Sequence, residues 1–238
     1  MISSPTDKSQ IIAVVPAAGI GSRMQSTLPK QYLSILGKTI LEHTVAKLLA
    51  HPAIQRVVIV LHPQDRYFYS LTLAAHPRIS TTIGGDSRAE SVLAGLTLLA
   101  EQDWVLVHDA ARPCIQQSDI DQLLCQALHK PQGGILAVPV SDTLKQATAQ
   151  QTISSTVDRS TLWQALTPQL FNVERLRMCL KHALAKQQII TDEASAMEFG
   201  GYQPLLIRGR KDNIKVTLPE DVALATFYLQ RQEDIACA

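Results

Sequence analysis

The sequence predicts a three-layer α/β domain built on a mainly parallel sheet. Two observations carry that expectation. Short β-branched runs alternate with helical patterns along the chain. The runs are apolar throughout rather than alternating with polar residues, the mark of strands covered on both faces.

The first run, Ile11 to Val15, is a continuous apolar strand followed by a glycine-bearing loop. Thr39 to Ala50 then repeats apolar residues at Ile40, Leu41, Val45, Leu48 and Leu49, and Thr39 with Glu42 makes a capping box. Arg56 to Leu61 and Ile79 to Ile83 read as the second and third strands. Ser87 with Glu90 repeats the capping box before Val92, Leu93, Leu96 and Leu99. Trp104 to Val107 is a fourth strand, a helix follows around Ser118 to Leu128, and Gly134 to Val140 is a fifth strand. Ser141 to Ser160 breaks the pattern, being rich in Thr, Ser and Gln and too poor in apolar residues to form a core. The residues alone favour a surface excursion over a β-hairpin arm, since Ala149-Gln150-Gln151 lacks a tight-turn signature. Asn172 to Ala185 and Thr191 to Phe199 are helical, Leu205 to Arg208 is a strand, and Pro219, Glu220 and Asp221 open a terminal helix. There is no repeat and no linker, so residues 1–238 are expected to form one domain, with no fused second enzyme.

Lys and Arg number 22 against 21 Asp and Glu, a formal charge of +1, which gives no electrostatic case for nucleic acid or an anionic membrane surface as partner. No apolar stretch approaches the roughly 20 residues of a membrane span; Pro16, Gly19 and Gly21 interrupt the longest. The opening residues MISSPTDKSQ lack the apolar centre of a signal peptide, so a cytoplasmic location is expected. Cys114, Cys125, Cys179 and Cys237 form no C-x-x-C pair and read as buried or incidental thiols.

In a parallel sheet the ligand sits beyond the carboxyl ends of the strands, which directs attention to Pro16 to Lys30, Gly84 to Arg88 and His108 to Pro113. The loop Pro16 to Met24 (PAAGIGSRM) has the small residues, Ala17, Ala18, Gly19 and Gly21, that let backbone N–H groups approach phosphate. It is no Walker A loop, and Met24 stands where a dinucleotide fingerprint needs its third glycine. A plain tight turn explains G-x-G about as well; Arg23 and Lys30, two cations near the loop, raise the case for an anionic ligand.

PAAGIGSRM with Pro29-Lys30-Gln31-Tyr32, then Gly84-Gly85-Asp86-Ser87-Arg88, Val107 to Pro113 (VHDAARP), Thr191-Asp192-Glu193-Ala194-Ser195 and Asn213 to Thr217 (NIKVT) resemble, in this order, the motif series of the 2-C-methyl-D-erythritol 4-phosphate cytidylyltransferase family. The resemblance spans Ile11 to Tyr228. It implies transfer of CMP from CTP to 2-C-methyl-D-erythritol 4-phosphate, with release of pyrophosphate, in non-mevalonate isoprenoid synthesis. It also implies a Rossmann-like nucleotidyltransferase fold and a projecting arm, residues 141–160, that interlocks two subunits, which revives the arm reading of that segment. By the same resemblance, Arg23 and Lys30 stabilise the transition state, Arg159 and Lys215 position the acceptor phosphate, and Gly85, Asp86 and Ser91 lie at the cytosine and ribose end. Asp109, Ala110, Arg112, Thr143, Thr167 and Thr191 complete the two substrate sites, with Arg159 and Thr143 of the arm serving the partner subunit's site.

The chemistry agrees. The acceptor phosphate has its second ionisation near pH 6, so the nucleophile is already anionic and no general base is required. The reaction needs cations, backbone N–H groups and Mg²⁺, the metal held mainly by CTP phosphates in the absence of a carboxylate cluster in the sequence. His108 is therefore read as a strand-end histidine satisfied by backbone, outside the catalytic set. Asp109 has three readings: acceptor-hydroxyl ligand, which we favour, metal contact, or turn former. Asp86, Ser87 and Thr191 could each be helix caps, and Lys215, between Ile214 and Val216, could face bulk solvent. Two rival functions remain: a cytidylyltransferase for another polyol phosphate such as ribitol 5-phosphate, and a non-catalytic nucleotide-binding module.

Overall fold

The first apolar run divides between two cores. In the computed structural model, which describes residues 9–19 and 28–236, β1 (Ile11–Pro16) sends Ala13 and Val15 into one hydrophobic cluster and Ile12 and Val14 into another. That is why it reads as unbroken apolar sequence: successive side chains of a strand point to opposite faces, and here both are dry.

A two-residue hairpin, β2 (Ser34–Ile35) and β3 (Lys38–Thr39), precedes α1 (Ile40–Leu49), which the Thr39 and Glu42 capping box starts. Next come β4 (Ile54–Leu61), two residues longer at its start than the apolar run suggested, and β5 (Ile79–Ile83). Ser87 caps α2 (Arg88–Leu96) with the predicted box, and β6 (Trp104–Val107), α3 (Gln117–Ala127) and β7 (Gly134–Pro139) follow within a residue or so of expectation. The segment 141–160 forms a hairpin of β8 (Leu144–Ala147) and β9 (Ile153–Val157), which pair with each other in a sheet of their own.

The long strand β10 (Trp163–Asn172) was not anticipated. It then gives way to α4 (Val173–Ala185), α5 (Glu193–Phe199), β11 (Leu205–Arg208) and α6 (Pro219–Ala236).

The main sheet has the order β11-β7-β10-β6-β1-β4-β5, and only β10 runs against its neighbours. Its ladder with β7 breaks between Ala165 and Gln169, across Pro168, which has no N–H to donate. Helices α1 and α3 cover one face through Leu41, Val45, Leu48, Ile120 and Leu123. Helices α2, α4 and α5 cover the other through Val92, Leu96, Leu176, Leu180 and Met197. A third cluster, with Ile35, Val216 and Leu229, seats α6 beside the small hairpin.

The packing of α2 on the sheet depends on Gly95. A Cβ there would lie 2.7 Å from Val14 Cγ1 and 3.1 Å from Val60 Cγ2. Gly95→Ala is expected to lower stability by roughly 1–3 kcal/mol through overpacking, although alanine gains about 1 kcal/mol in helix propensity. Urea unfolding measures it, and a variant more stable than the parent would contradict that close approach.

Candidate active site

The chain leaves β1 for β4 on one side and later returns to place β6 on the other, so the sheet order switches at β1. The carboxyl ends of β1 and β6 therefore open a crevice, the usual ligand position in such sheets. Two cavities meet there. One, of about 210 Å³, lies between Ala17, Ala18 and Gly19 after β1, Gly85, Asp86 and Ser91 around the start of α2, and Asp109 and Ala110 after β6; Lys30, Arg88 and Lys215 complete its wall. The second, of about 190 Å³, is lined by Thr167, Thr191, Arg112 and Gln169 and shares Arg88, Asp109 and Lys215 with the first.

Each loop is held from behind. The Gln31 amide, 3% exposed, donates to the carbonyls of Ala17 (2.7 Å) and Gly19 (3.2 Å). The Ala17 N–H bonds the Val60 carbonyl (2.8 Å), so it is spent on the sheet, whereas the amides of Ala18 and Gly19 have no partner among the described residues. Gly84 lets the turn after β5 press against this loop: a Cβ would fall 2.9 Å from that of Ala18 and 2.6 Å from the Ser91 hydroxyl. The carbonyl of Ala110 accepts from Thr44 of α1, and that of Ala111 from the Val216 N–H (2.8 Å). Ile214 and Val216 pack into the third cluster, and Lys215 between them turns to Asp109. Alternation along the segment thus aims Lys215 into the site rather than into bulk solvent. Lys30 joins it, its Nζ donating to the Val216 carbonyl (3.1 Å).

Asp109 is the centre of the charge. Its Oδ1 takes Arg88 (3.1 Å), and its Oδ2 takes Lys215 (2.8 Å), with Arg112 Nε at 3.7 Å. Burial would raise its pKa, but Arg88, Lys215 and Arg112 together hold the carboxyl far below the usual range. It is therefore a fixed anion rather than the simple turn former. Arg88 in turn makes a two-pronged pair with Glu193, Nη1 to Oε1 at 2.6 Å and Nη2 to Oε2 at 3.1 Å. Burial would lower the arginine, but Glu193 and then Asp109 outweigh it and push its pKa up. Three cations against two carboxylates leave one positive charge in excess, which suits an anionic ligand.

His108 is fully buried, with Nε2 placed to donate to the Arg112 carbonyl (3.1 Å) and Nδ1 to accept from the Thr167 hydroxyl (3.0 Å). Thr167 also accepts the Asp109 N–H (3.1 Å). Burial lowers the His108 pKa to about 4, so a neutral imidazole acts as a strut, as the sequence suggested. A histidine neutral in the fold but protonated when unfolded makes stability fall as pH drops from about 6.5 to about 4, by up to roughly 3 kcal/mol. The advantage of the parent over His108→Asn in unfolding free energy is expected to shrink through that window; a difference independent of pH would mean that the ring takes up its proton as readily in the fold as in the unfolded chain.

Two helix caps were read in part. Ser87 caps α2, leaving the exposed Asp86 on the cavity wall, and Asp192, not Thr191, caps α5, with Thr191 on the second cavity. Gly21 and Arg23 lie outside the described residues, as does Cys237. Thr143 and Arg159 are exposed at the root of the hairpin, where Arg159 bonds the Ser141 carbonyl, and they line neither cavity of the crevice. A wider hollow of about 840 Å³ runs from Ser141, Asp142 and Leu144 to Arg112 and Lys215, so the hairpin root borders the charged cluster from outside.

Sequence reading missed Arg88, Glu193 and Gln31 as site residues, although all three lie inside the motifs quoted above. What it lacked was their partners, 105 residues apart for Arg88 and Glu193.

A mostly parallel sheet, a small-residue loop over its switch point and cations gathered around one carboxylate define an α/β nucleotidyltransferase. The family model described as "IspD: 2-C-methyl-D-erythritol 4-phosphate cytidylyltransferase" matches residues 11–231. The chain belongs to that family. A relative of that name from Yersinia pseudotuberculosis serotype I (strain IP32953) is 57% identical over 227 residues, covering 95% of this chain and 94% of the relative. A Yersinia pestis (strain Pestoides F) relative of that name gives the same identity and coverage. Among solved structures, a 4-diphosphocytidyl-2C-methyl-D-erythritol synthase aligns with a TM-score of 0.82 at 42% identity, over 93% of this chain and 99% of the other. The Francisella tularensis 2-C-methyl-D-erythritol 4-phosphate cytidylyltransferase aligns at 0.80 and 34%, over 92% and 100%.

Proposed function

We propose that the protein transfers CMP from CTP to 2-C-methyl-D-erythritol 4-phosphate, giving 4-diphosphocytidyl-2-C-methyl-D-erythritol and pyrophosphate in isoprenoid biosynthesis. The observation that carries this reading is the cation cluster at the junction of two cavities, Lys215, Arg88 and Arg112 on Asp109 with Lys30 alongside. The first cavity receives the triphosphate, with the Ala18 and Gly19 amides turned to its oxygens, and Gly85, Asp86, Ser91 and Ala110 beside the nucleoside. The second receives the acceptor, with Thr191 and Arg112 on its wall; Thr167 acts there through Asp109 and His108, whose partners occupy its hydroxyl.

No side chain needs to remove a proton, because the attacking phosphate oxygen is already anionic near neutral pH. The work of the chain is to bring two polyanions together and to stabilise charge on the leaving pyrophosphate, which Lys30 and Arg23 do. Both oxygens of Asp109 are engaged by cations, so the donor set suits a Mg²⁺ that arrives on the CTP phosphates better than one held in a protein cage. Bound in that way, the ion neutralises phosphate charge.

The enzyme acts as a homodimer through the hairpin of β8 and β9. Leu144 and Ile153 are exposed on that hairpin, and Thr143 and Arg159 at its root reach the partner's acceptor site. A cytoplasmic location is part of the proposal; no helix among the described residues is long and apolar enough to cross a membrane.

Pyrophosphate release from CTP, Mg²⁺ and 2-C-methyl-D-erythritol 4-phosphate tests the activity, with ribitol 5-phosphate as competing acceptor and sedimentation for the dimer. CTP binding without pyrophosphate release would make the protein a nucleotide-binding module, and preference for ribitol 5-phosphate would make it a sister enzyme. Arg159→Ala should lose turnover while remaining folded.

A further inference from the structure

The pairing of Arg88 with Glu193 carries costs on both sides, although Glu193, at the start of α5, is at least favoured by that helix's dipole. Arg88 opens α2, where a cation meets the positive end of the helix dipole, and Glu193 is 1% exposed, so its charge has been stripped of water. Buried ion pairs of this kind are commonly matched in stability by apolar pairs of similar size.

The pair is nonetheless held firmly. Gln169 of β10 brackets Glu193, its amide donating to Asp192 Oδ2 (2.9 Å) and its carbonyl accepting from the Ala194 N–H (2.9 Å). With Nη1 and Nη2 on Glu193 and Nε on Asp109 Oδ1 (3.1 Å), the fork of Arg88 is committed to two carboxylates at the wall common to both cavities. An arginine so engaged is poorly placed to take a phosphate of its own. What it does fix is the orientation of Asp109, whose other oxygen faces Lys215 at 2.8 Å.

Resting on the function proposed above, we infer that Glu193 and Arg88 are positioning residues for the acceptor: Glu193 aims Arg88, Arg88 sets Asp109, and Asp109 parks Lys215 where the acceptor phosphate arrives. The relay predicts a separation of substrate effects. In Glu193→Gln, the amide donors face a guanidinium, Arg88 shifts, and the KM for 2-C-methyl-D-erythritol 4-phosphate rises at least tenfold while that for CTP stays within threefold.

The double variant Arg88→Met/Glu193→Met distinguishes positioning from mere support. It is expected to melt within a few degrees of the parent yet keep at least a tenfold loss in kcat/KM for the acceptor. Parent-like kinetics in a folded double variant, or equal rises in both KM values for Glu193→Gln, would overturn the inference while the function stands. Glu193→Gln, nearly isosteric, decides the matter on its own when the double variant does not fold. A parent that releases no pyrophosphate removes the function and this inference together.

Discussion

Lys30→Ala is expected to lower kcat a hundredfold or more and leave the protein folded. Lys30 begins a short turn, Lys30–Tyr32, that its neighbours anchor: Gln31 by its two bonds to the loop after β1, and Tyr32 by its hydroxyl on Asp65 (2.6 Å). Truncating the lysine removes its bond to the Val216 carbonyl, worth about 1 kcal/mol, and leaves those anchors intact. The kinetic effect is larger because a preorganised donor aimed at developing charge is worth about 2.7–4 kcal/mol of barrier. Steady-state rates of pyrophosphate release beside a thermal melt separate the two. A folded variant that turns over like its parent would show that Lys30 serves the loop and not the reaction.

Asp109→Asn should damage both stability and activity. The substitution keeps the shape but takes one of two anions from a cluster of three cations, and it points an amide donor at Arg88 or Lys215. Breaking a buried ion pair by removing one partner costs roughly 3–5 kcal/mol, and urea unfolding at pH 7 should show a loss of that order. The sign of the pH dependence follows from the depressed carboxyl. Its contribution is complete above the ordinary aspartate value near 4 and is lost as pH falls through the lower folded value, so the gap between parent and variant should narrow only in strong acid. Acceptor turnover should fall with it, since Lys215 loses the partner that places it. A variant as stable as the parent at pH 7 would mean that solvent, not Asp109, compensates these cations.

The sheet was legible wherever strands were dry on both sides, as in Trp104–Val107 and Ile12 to Val15, and helix starts were legible where Thr39 and Ser87 had a glutamate three residues on. The strand β10 was hidden because it spends polar residues on specific contacts to its neighbours. Thr167 serves His108 and Asp109, Gln169 serves α5, and Asn172 caps α4, so the segment shows no unbroken apolar run. In the site, loop positions such as Gly19, Asp109 and Ala110 were findable because they follow strands directly. The partnership of Arg88 with Glu193 was not, since it joins the first turns of two distant helices and leaves no local pattern.

The reversal of β10 has an architectural consequence. The strand pairs antiparallel with both β6 and β7, so it begins at the end of the sheet where they finish. The connection from β7 to β10 therefore never crosses the molecule; it leaves and re-enters at the same rim, and the twenty-odd residues inserted there stand beside the crevice. Growth or shortening of that insertion reshapes the mouth of the enzyme while every strand keeps its place in the sheet.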